Sequence, residues 1–75
     1  MTVYILIGEY ERSLMSEVFG AFDTEEKAIT YIHNNFEHTE YCEATRTWTA
    51  EVFHDTVELR IVRQEVQYLF PSQDF

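Results

Sequence analysis

The chain is poor in residues that staple, break or neutralise: one cysteine, one proline, two glycines and five basic residues among 75. The single cysteine, Cys42, allows no internal disulfide and excludes the small, secreted, disulfide-stapled class, so a reducing, cytoplasmic location is expected. The two glycines, Gly8 and Gly20, form no glycine-rich loop to cradle a phosphate. No apolar run approaches the ~20 residues of a membrane-spanning helix. The apolar start Val3-Tyr4-Ile5-Leu6-Ile7 lacks the basic region, length and small-residue cleavage site of a signal peptide. The five bases face fourteen acids, for a formal net charge of -9. A field of that sign repels nucleic acid and anionic membrane and attracts basic protein surfaces.

What is present is globular in kind. Six Phe, five Tyr and one Trp supply a large apolar contact area for so short a chain. One domain over residues 1–71 and a frayed tail over 72–75 are expected. Residues 3–7 are apolar on both faces, the pattern of a central, doubly covered strand. Residues 8–16 read as a loop and 17–22 as a second strand, with Gly20 marking a bulge or a close approach. Asp23-Thr24-Glu25-Glu26-Lys27 opens a helix: Asp23 with Glu26 fits capping-box spacing, and the acids favour the positive end of the helix dipole. Ala28, Ile29, Ile32 and Phe36 continue as an apolar stripe, and Asn34 and Asn35 suit its end.

Residues 37–46 have no period and read as a loop. Residues 47–54 and 56–63 alternate, with Trp48, Ala50 and Val52 on one face of the first and Val57, Leu59 and Ile61 on one face of the second. The link at His54-Asp55 predicts a hairpin. Val66, Tyr68 and Phe70 would extend the last strand as far as Pro71. The expected fold is therefore α+β: a four-stranded antiparallel sheet in the order β-β-α-β-β, with one helix on one face. One short helix leaves the second face open. With Tyr4, Leu6, Phe19, Phe53 and Val62 assigned to it, that face invites a second copy or a target.

The acids are unevenly placed. Six of them (Asp23, Glu25, Glu26, Glu37, Glu40 and Glu43) and one base lie between residues 23 and 43, whereas acids and bases balance from Leu59 onward. Glu25, Glu26, Glu37, Glu40 and Glu43 are the expected contact acids, with Tyr41 as an aromatic anchor; solvation of the surface accounts for the same charges equally simply. Val66, Tyr68 and Phe70 are the expected contacts of a homodimer.

No catalytic residue emerges. His33, His38 and Cys42, with His54 further on, have a loose His-x4-His-x3-Cys spacing unlike the closer pairs of structural zinc sites, so no metal or other cofactor is expected. Cys42 has His38 four residues away in a segment without regular structure, which leaves nucleophile and base unoriented, and no enzyme is expected. Trp48, Tyr10, Tyr41, Tyr68 and Phe75 lack the basic groove that single-stranded nucleic acid requires, and Trp48 reads as core.

Gly20-Ala21-Phe22-Asp23-Thr24-Glu25-Glu26-Lys27-Ala28, after a Val-Tyr-Ile-Leu strand, resembles small phage and bacterial proteins that open with a strand, a loop and a Gly-x-Phe-Ser/Thr-x-Glu-Lys-Ala helix entry. The match covers residues 3–32. The resemblance implies a ββαββ-like fold and a phage or prophage origin, and carries over no catalytic residues. By analogy, small acidic phage proteins include inhibitors of host defence, such as anti-CRISPR proteins and DNA mimics. The expected function is thus a non-enzymatic, acidic binding protein that docks on a basic host nuclease or defence complex. The alternative is a small homo-oligomeric structural or regulatory module that uses its open sheet face.

Overall fold

The computed structural model of the chain describes residues 1–66. Strand β1 (Thr2–Tyr10) and strand β2 (Ser16–Phe22) form a hairpin, helix α1 (Glu25–Asn35) follows, and β3 (Glu40–Cys42), β4 (Thr47–Val52) and β5 (Asp55–Glu65) complete the order. The five strands form one antiparallel sheet in the order β2-β1-β5-β4-β3. The α+β class holds, with five strands among the described residues where four were expected. The additional strand, β3, lies in the segment expected to be a loop. It has only three residues, all exposed, so neither period nor burial marks it in the sequence.

Cross-strand pairing fixes which side chains share a face. Tyr4 pairs with Arg63, Leu6 with Ile61 and Gly8 with Leu59 across β1 and β5. Leu59 pairs with Trp48 and Val57 with Ala50 across β5 and β4. The core forms on this side. Leu6, Ile32, Val57 and Leu59 have no exposed surface, and Trp48 is also buried. Each of the four fully buried side chains is worth about 1.5–3 kcal/mol of transfer free energy. Helix α1 lays Ala28 and Ile32 on this face. Its Tyr31 and the C-cap Phe36 meet Phe19 and Phe22 of β2 in an aromatic cluster; Phe19 and Phe36 pack edge-on at 5.4 Å. Residues 8–16, expected to be a loop, instead extend β1 through Gly8 to Tyr10 and start β2 at Ser16, because Gly8, Glu9 and Tyr10 pair with Leu59, Glu58 and Val57 of β5; at Gly8 the core has no room for a side chain. A Cβ there would stand 2.5 Å from Phe19 Cε2. The register slips between Leu6 and Ile7, so a bulge lies next to Gly20 in β2, one of the two outcomes its sequence position predicted.

The helix start differs in one detail. Thr24 is the N-cap, its Oγ1 accepting from the Lys27 backbone N–H at 3.2 Å. Asp23 sits one residue earlier and pairs with the Lys27 ammonium at 3.0 Å. At the other end Asn35 Nδ2 donates to the Tyr31 carbonyl, and the first left-handed residue beyond the helix is His38 rather than an asparagine.

The uncovered face also differs. Tyr4, Leu6 and Phe19 belong to the helix side, and Phe53 lies in a turn with 95% of its surface exposed. The open face instead carries Val3, Ile5 and Ile7, with Val62 as expected. β1 is apolar on both faces, so its alternation separates the two sets and leaves open which one meets the helix. The β4–β5 turn is Phe53-His54, one residue earlier than expected, and both residues have positive φ (50° and 68°), the combination of a type I′ hairpin turn. Asp55 ties this turn to the β1–β2 loop by accepting from the backbone N–H groups of Arg12 (2.8 Å) and Ser13 (3.2 Å) and from Ser13 Oγ. Val66 is exposed, and its N–H bonds the Met1 carbonyl at 2.7 Å. Tyr68, Phe70 and the expected tail lie outside the described residues.

Candidate functional site

The two sides of the sheet divide the expected contact residues between them. On the helix side, an open groove of about 630 Å3 lies between the start of α1 and strands β5, β4 and β3. Glu25, Tyr41 and Glu43 line it, together with Arg46 and Arg63. Glu25 and Glu43 are therefore interleaved with an equal number of arginines and do not make a bare acidic patch. Tyr41 pairs with Trp48 across β3 and β4, ring centroids 4.5 Å apart, and half of it remains exposed. Glu26 is exposed on the first turn of the helix. Glu37 and Glu40 lie elsewhere, around a recess of about 470 Å3 with His38, Thr49, Glu51 and Thr56.

The sheet pairing places further acids on the open face. Glu9 of β1 is directly opposite Glu58 of β5. Glu58 is opposite Thr49 of β4, and Thr49 is opposite Glu40 of β3. Three carboxylates thus form one cross-strand row over four strands, with Glu51 in the next row toward the turn, opposite Thr56. Like charges directly opposite each other in a sheet oppose folding. Among the described strand residues, Arg60 is the one base on this face, 3.4 Å from Glu9. That exposed pair contributes little. Beyond the row, Arg60 and Thr47 lie level with Ile7, and toward β1 and β2 the open face is mainly apolar: Val3, Ile5, Ile7 and Val62, with Ala21 and the exposed Val18 of β2 beside them. The face therefore has an acidic half and an apolar half.

Glu9, Glu51 and Glu58 were not among the expected contacts. The signal for Glu51 and Glu58 was present, since both alternate with core positions of β4 and β5. Nothing in the sequence shows that β1 and β5 are neighbours, and so nothing brings Glu9 to Glu58.

The soft ligands do not converge. His33 is exposed in the last helical turn, His38 precedes β3, Cys42 ends β3 and His54 is in the opposite hairpin turn. Among the described residues no group of three or more His, Cys, Asp or Glu has metal-binding geometry. Hydrogen bonding from Thr45, then from the nearby backbone, holds the exposed Cys42 thiol below its ordinary pKa, opposed by slight desolvation and then by Glu58. Burial, and then a hydrogen bond to Glu17, pushes the Tyr10 phenol up. No helix among the described residues is long and apolar enough to cross a membrane. The chain matches no protein-family model, and no curated protein or solved structure shows significant similarity to it.

Proposed function

We propose that the protein is a non-enzymatic binding protein whose open sheet face docks on a basic protein surface. The observation that carries this reading is the row Glu9, Glu58 and Glu40, with Glu51 beside it, on a face that no described element covers. Opposed carboxylates cost the fold stability, and a partner that supplies cations relieves the cost. The adjoining apolar half gives the same face area to desolvate, which charge alone lacks. Glu37 and Glu40 of the expected set join this surface through their shared recess, whereas Glu25, Glu43 and Tyr41 face the other way.

The partner class that fits is a protein with a nucleic-acid-binding channel, which accepts a spaced row of anions and gains fast, salt-sensitive association. A phage-encoded inhibitor of a host defence complex, of anti-CRISPR or DNA-mimic type, is the narrower form of this proposal. It draws its support from the net charge and from the resemblance at residues 20–28. The test compares the wild-type chain with a triple variant, Glu40→Lys, Glu51→Lys and Glu58→Lys, as baits in host lysate at low and high salt. Basic nucleic-acid-binding proteins should be captured by the wild type at low salt, released by salt and missed by the variant. Equal capture by both baits overturns the proposal.

A second reading, a homo-oligomer, is favoured by a separate observation, the apolar half of the same face. Val18 is 64% exposed there beside Ile5 and Ile7. Sedimentation at micromolar concentration distinguishes the two: if copies pair through this half, Ile5→Lys should yield monomers, and a wild-type chain that is already monomeric removes this reading.

A further inference from the structure

The groove on the helix side serves neither half of the open face, and its lining is unusual for this chain. It holds two of the five basic residues of a molecule whose net charge is -9. Its volume of about 630 Å3 lies inside the ~300–1,000 Å3 range of small-molecule sites. Three features define what it would take.

The first is a slot for a ring. Tyr4 on β1 forms one wall, and the Tyr41–Trp48 pair on β3 and β4 forms the other. β5 separates β1 from β4, and Tyr4, level with Arg63, is four residues out of step with Trp48, level with Leu59, so the two walls stand at opposite ends of the groove, about 16 Å apart along the diagonal. Ile61 of β5 floors the space between them. Trp48 is 8% exposed and held against Tyr41, so that wall is preorganised. An aromatic wall beside an apolar floor favours a planar ring, offset or edge-on.

The second is a pair of available guanidiniums. Arg46 enters none of the ion pairs among the described residues. Its φ of 57° is the left-handed close of the four-residue turn between the paired Cys42 and Thr47, which fixes where its backbone stands beside the groove. Arg63 has one ion pair, with Glu65 at 3.9 Å, and both side chains are more than 60% exposed. So long and exposed a pair yields readily to a better carboxylate. The third is the matching carboxylate pair, Glu25 at the helix start and Glu43 in the β3–β4 turn.

We propose that this groove is a binding site for an aromatic zwitterion, the chemistry of a free aromatic α-amino acid: ring on Ile61 against the Tyr41–Trp48 pair, carboxylate on Arg46 and Arg63, ammonium on Glu25 or Glu43. The charges select this class over its neighbours. Two guanidiniums and two carboxylates give the groove itself no net charge, matching a ligand that carries one charge of each sign. A nucleotide with two negative charges would fit the ring slot and the arginines, and would be opposed by the glutamates and by the field of the whole chain.

The chain has one tryptophan, so its nitrogen-proton correlation spectrum contains a single indole cross-peak, a reporter inside the groove. The experiment titrates the full, isotope-labelled chain with L-phenylalanine, N-acetyl-L-phenylalanine, L-phenylalaninamide and glycine. L-Phenylalanine should move the indole peak saturably. Removing the ammonium by acetylation, or the carboxylate by amidation, should each weaken binding about tenfold, the scale of one lost charge-assisted hydrogen bond. Arg46→Ala should weaken L-phenylalanine to a similar extent and leave L-phenylalaninamide unaffected, with the backbone amide spectrum showing that the fold is retained. Glycine should leave the indole peak in place. An indole peak that does not move with L-phenylalanine, or that moves equally with glycine, overturns the proposal. So does an Arg46→Ala variant that retains full affinity. None of these outcomes bears on the open face, which lies on the other side of the sheet.

Discussion

Replacing Gly8 with alanine tests the packing on which the helix side depends. Gly8 is buried in the middle of β1, and an added Cβ would meet Phe19 Cε2 at 2.5 Å, Val57 Cγ2 at 3.0 Å and Leu59 Cδ2 at 3.3 Å. The first distance is shorter than real Cβ contacts, so something must move. Val57 and Leu59 have no exposed surface into which to move. Phe19 is wedged against Phe36 and Tyr31. Overpacking of this kind costs about 1–3 kcal/mol. The less flexible unfolded chain returns about 0.4–1 kcal/mol, which leaves a net loss of about 1–2 kcal/mol. A chain this short has a total stability of roughly 4–11 kcal/mol, and each lost kcal/mol lowers the melting temperature by about 4–8 °C. Thermal unfolding followed by circular dichroism should therefore show a fall of about 5–15 °C. Gly20→Ala is the control. Its Cβ would meet only the Phe22 ring, nearest at Cζ, 3.1 Å away. That is the far end of one side chain at a distance a shift of a few tenths of an ångström relieves, so the change should stay within about 1 kcal/mol of wild type. Gly8→Ala combined with Phe19→Leu should cost less than the sum of the two single changes, because the clash and the ring are removed together. A Gly8→Ala protein as stable as the wild type, or equal loss at Gly8 and Gly20, would refute the packing of Phe19 over β1.

Two further changes probe the end of the molecule where the turns meet. Phe53→Asn with His54→Gly should raise stability by about 1 kcal/mol, because both native residues sit at positive φ where Asn-Gly is at ease; a lower melting temperature would show that the exposed Phe53 ring contributes to the fold. Asp55 is held below its ordinary 3.8, first by the hydrogen bond from the Arg12 backbone and then by those from Thr56 and Ser13, opposed only by partial burial. A depressed folded value means that its stabilising contribution is complete above the unfolded carboxylate range and is lost as pH falls through the folded value. Asp55→Ala should therefore lower the melting temperature at neutral pH and flatten its decline below pH 3.8, and an unchanged acid limb would exclude Asp55 as the link between the two loops.

The parts of the fold that were legible are those where burial imposes a period. Val57, Leu59 and Ile61 alternate with Glu58 and Arg60, and the structure puts the first set in the core and the second outside. The helix start was legible because the preference for a capping oxygen and first-turn acids is local, though the cap falls on Thr24 and not on Asp23. Adjacency was not legible. Glu9 and Glu58 are 49 positions apart in the chain, and their opposition follows from β5 inserting beside β1, which no local pattern encodes. The same limit hid the helix-side groove, whose lining comes from five separate elements and one turn. The acids expected to act together were grouped by sequence proximity, and the sheet divided them between its two faces.

The turns were illegible for a reason that goes back to the scarcity of glycine. Among the described residues five that are not glycine, Leu14, His38, Arg46, Phe53 and His54, have positive φ, and neither glycine does. Gly8 and Gly20 serve close packing inside strands, where a missing Cβ admits an aromatic ring. The left-handed positions are thus filled by residues that adopt them at a cost, and the dipeptides that ordinarily announce a turn are absent. Strain of this kind persists only where surrounding contacts enforce it. Asp55 does so for the loop carrying Leu14 by accepting from Arg12 and Ser13, and by bonding its neighbour Thr56 it also anchors the Phe53-His54 turn. At Arg46 the hydrogen bond between Thr45 and Thr47 (2.7 Å) brackets the residue and holds its backbone in place. Arg46 is thus one of these turn positions, set apart from the others by lying beside the aromatic groove and outside any ion pair among the described residues.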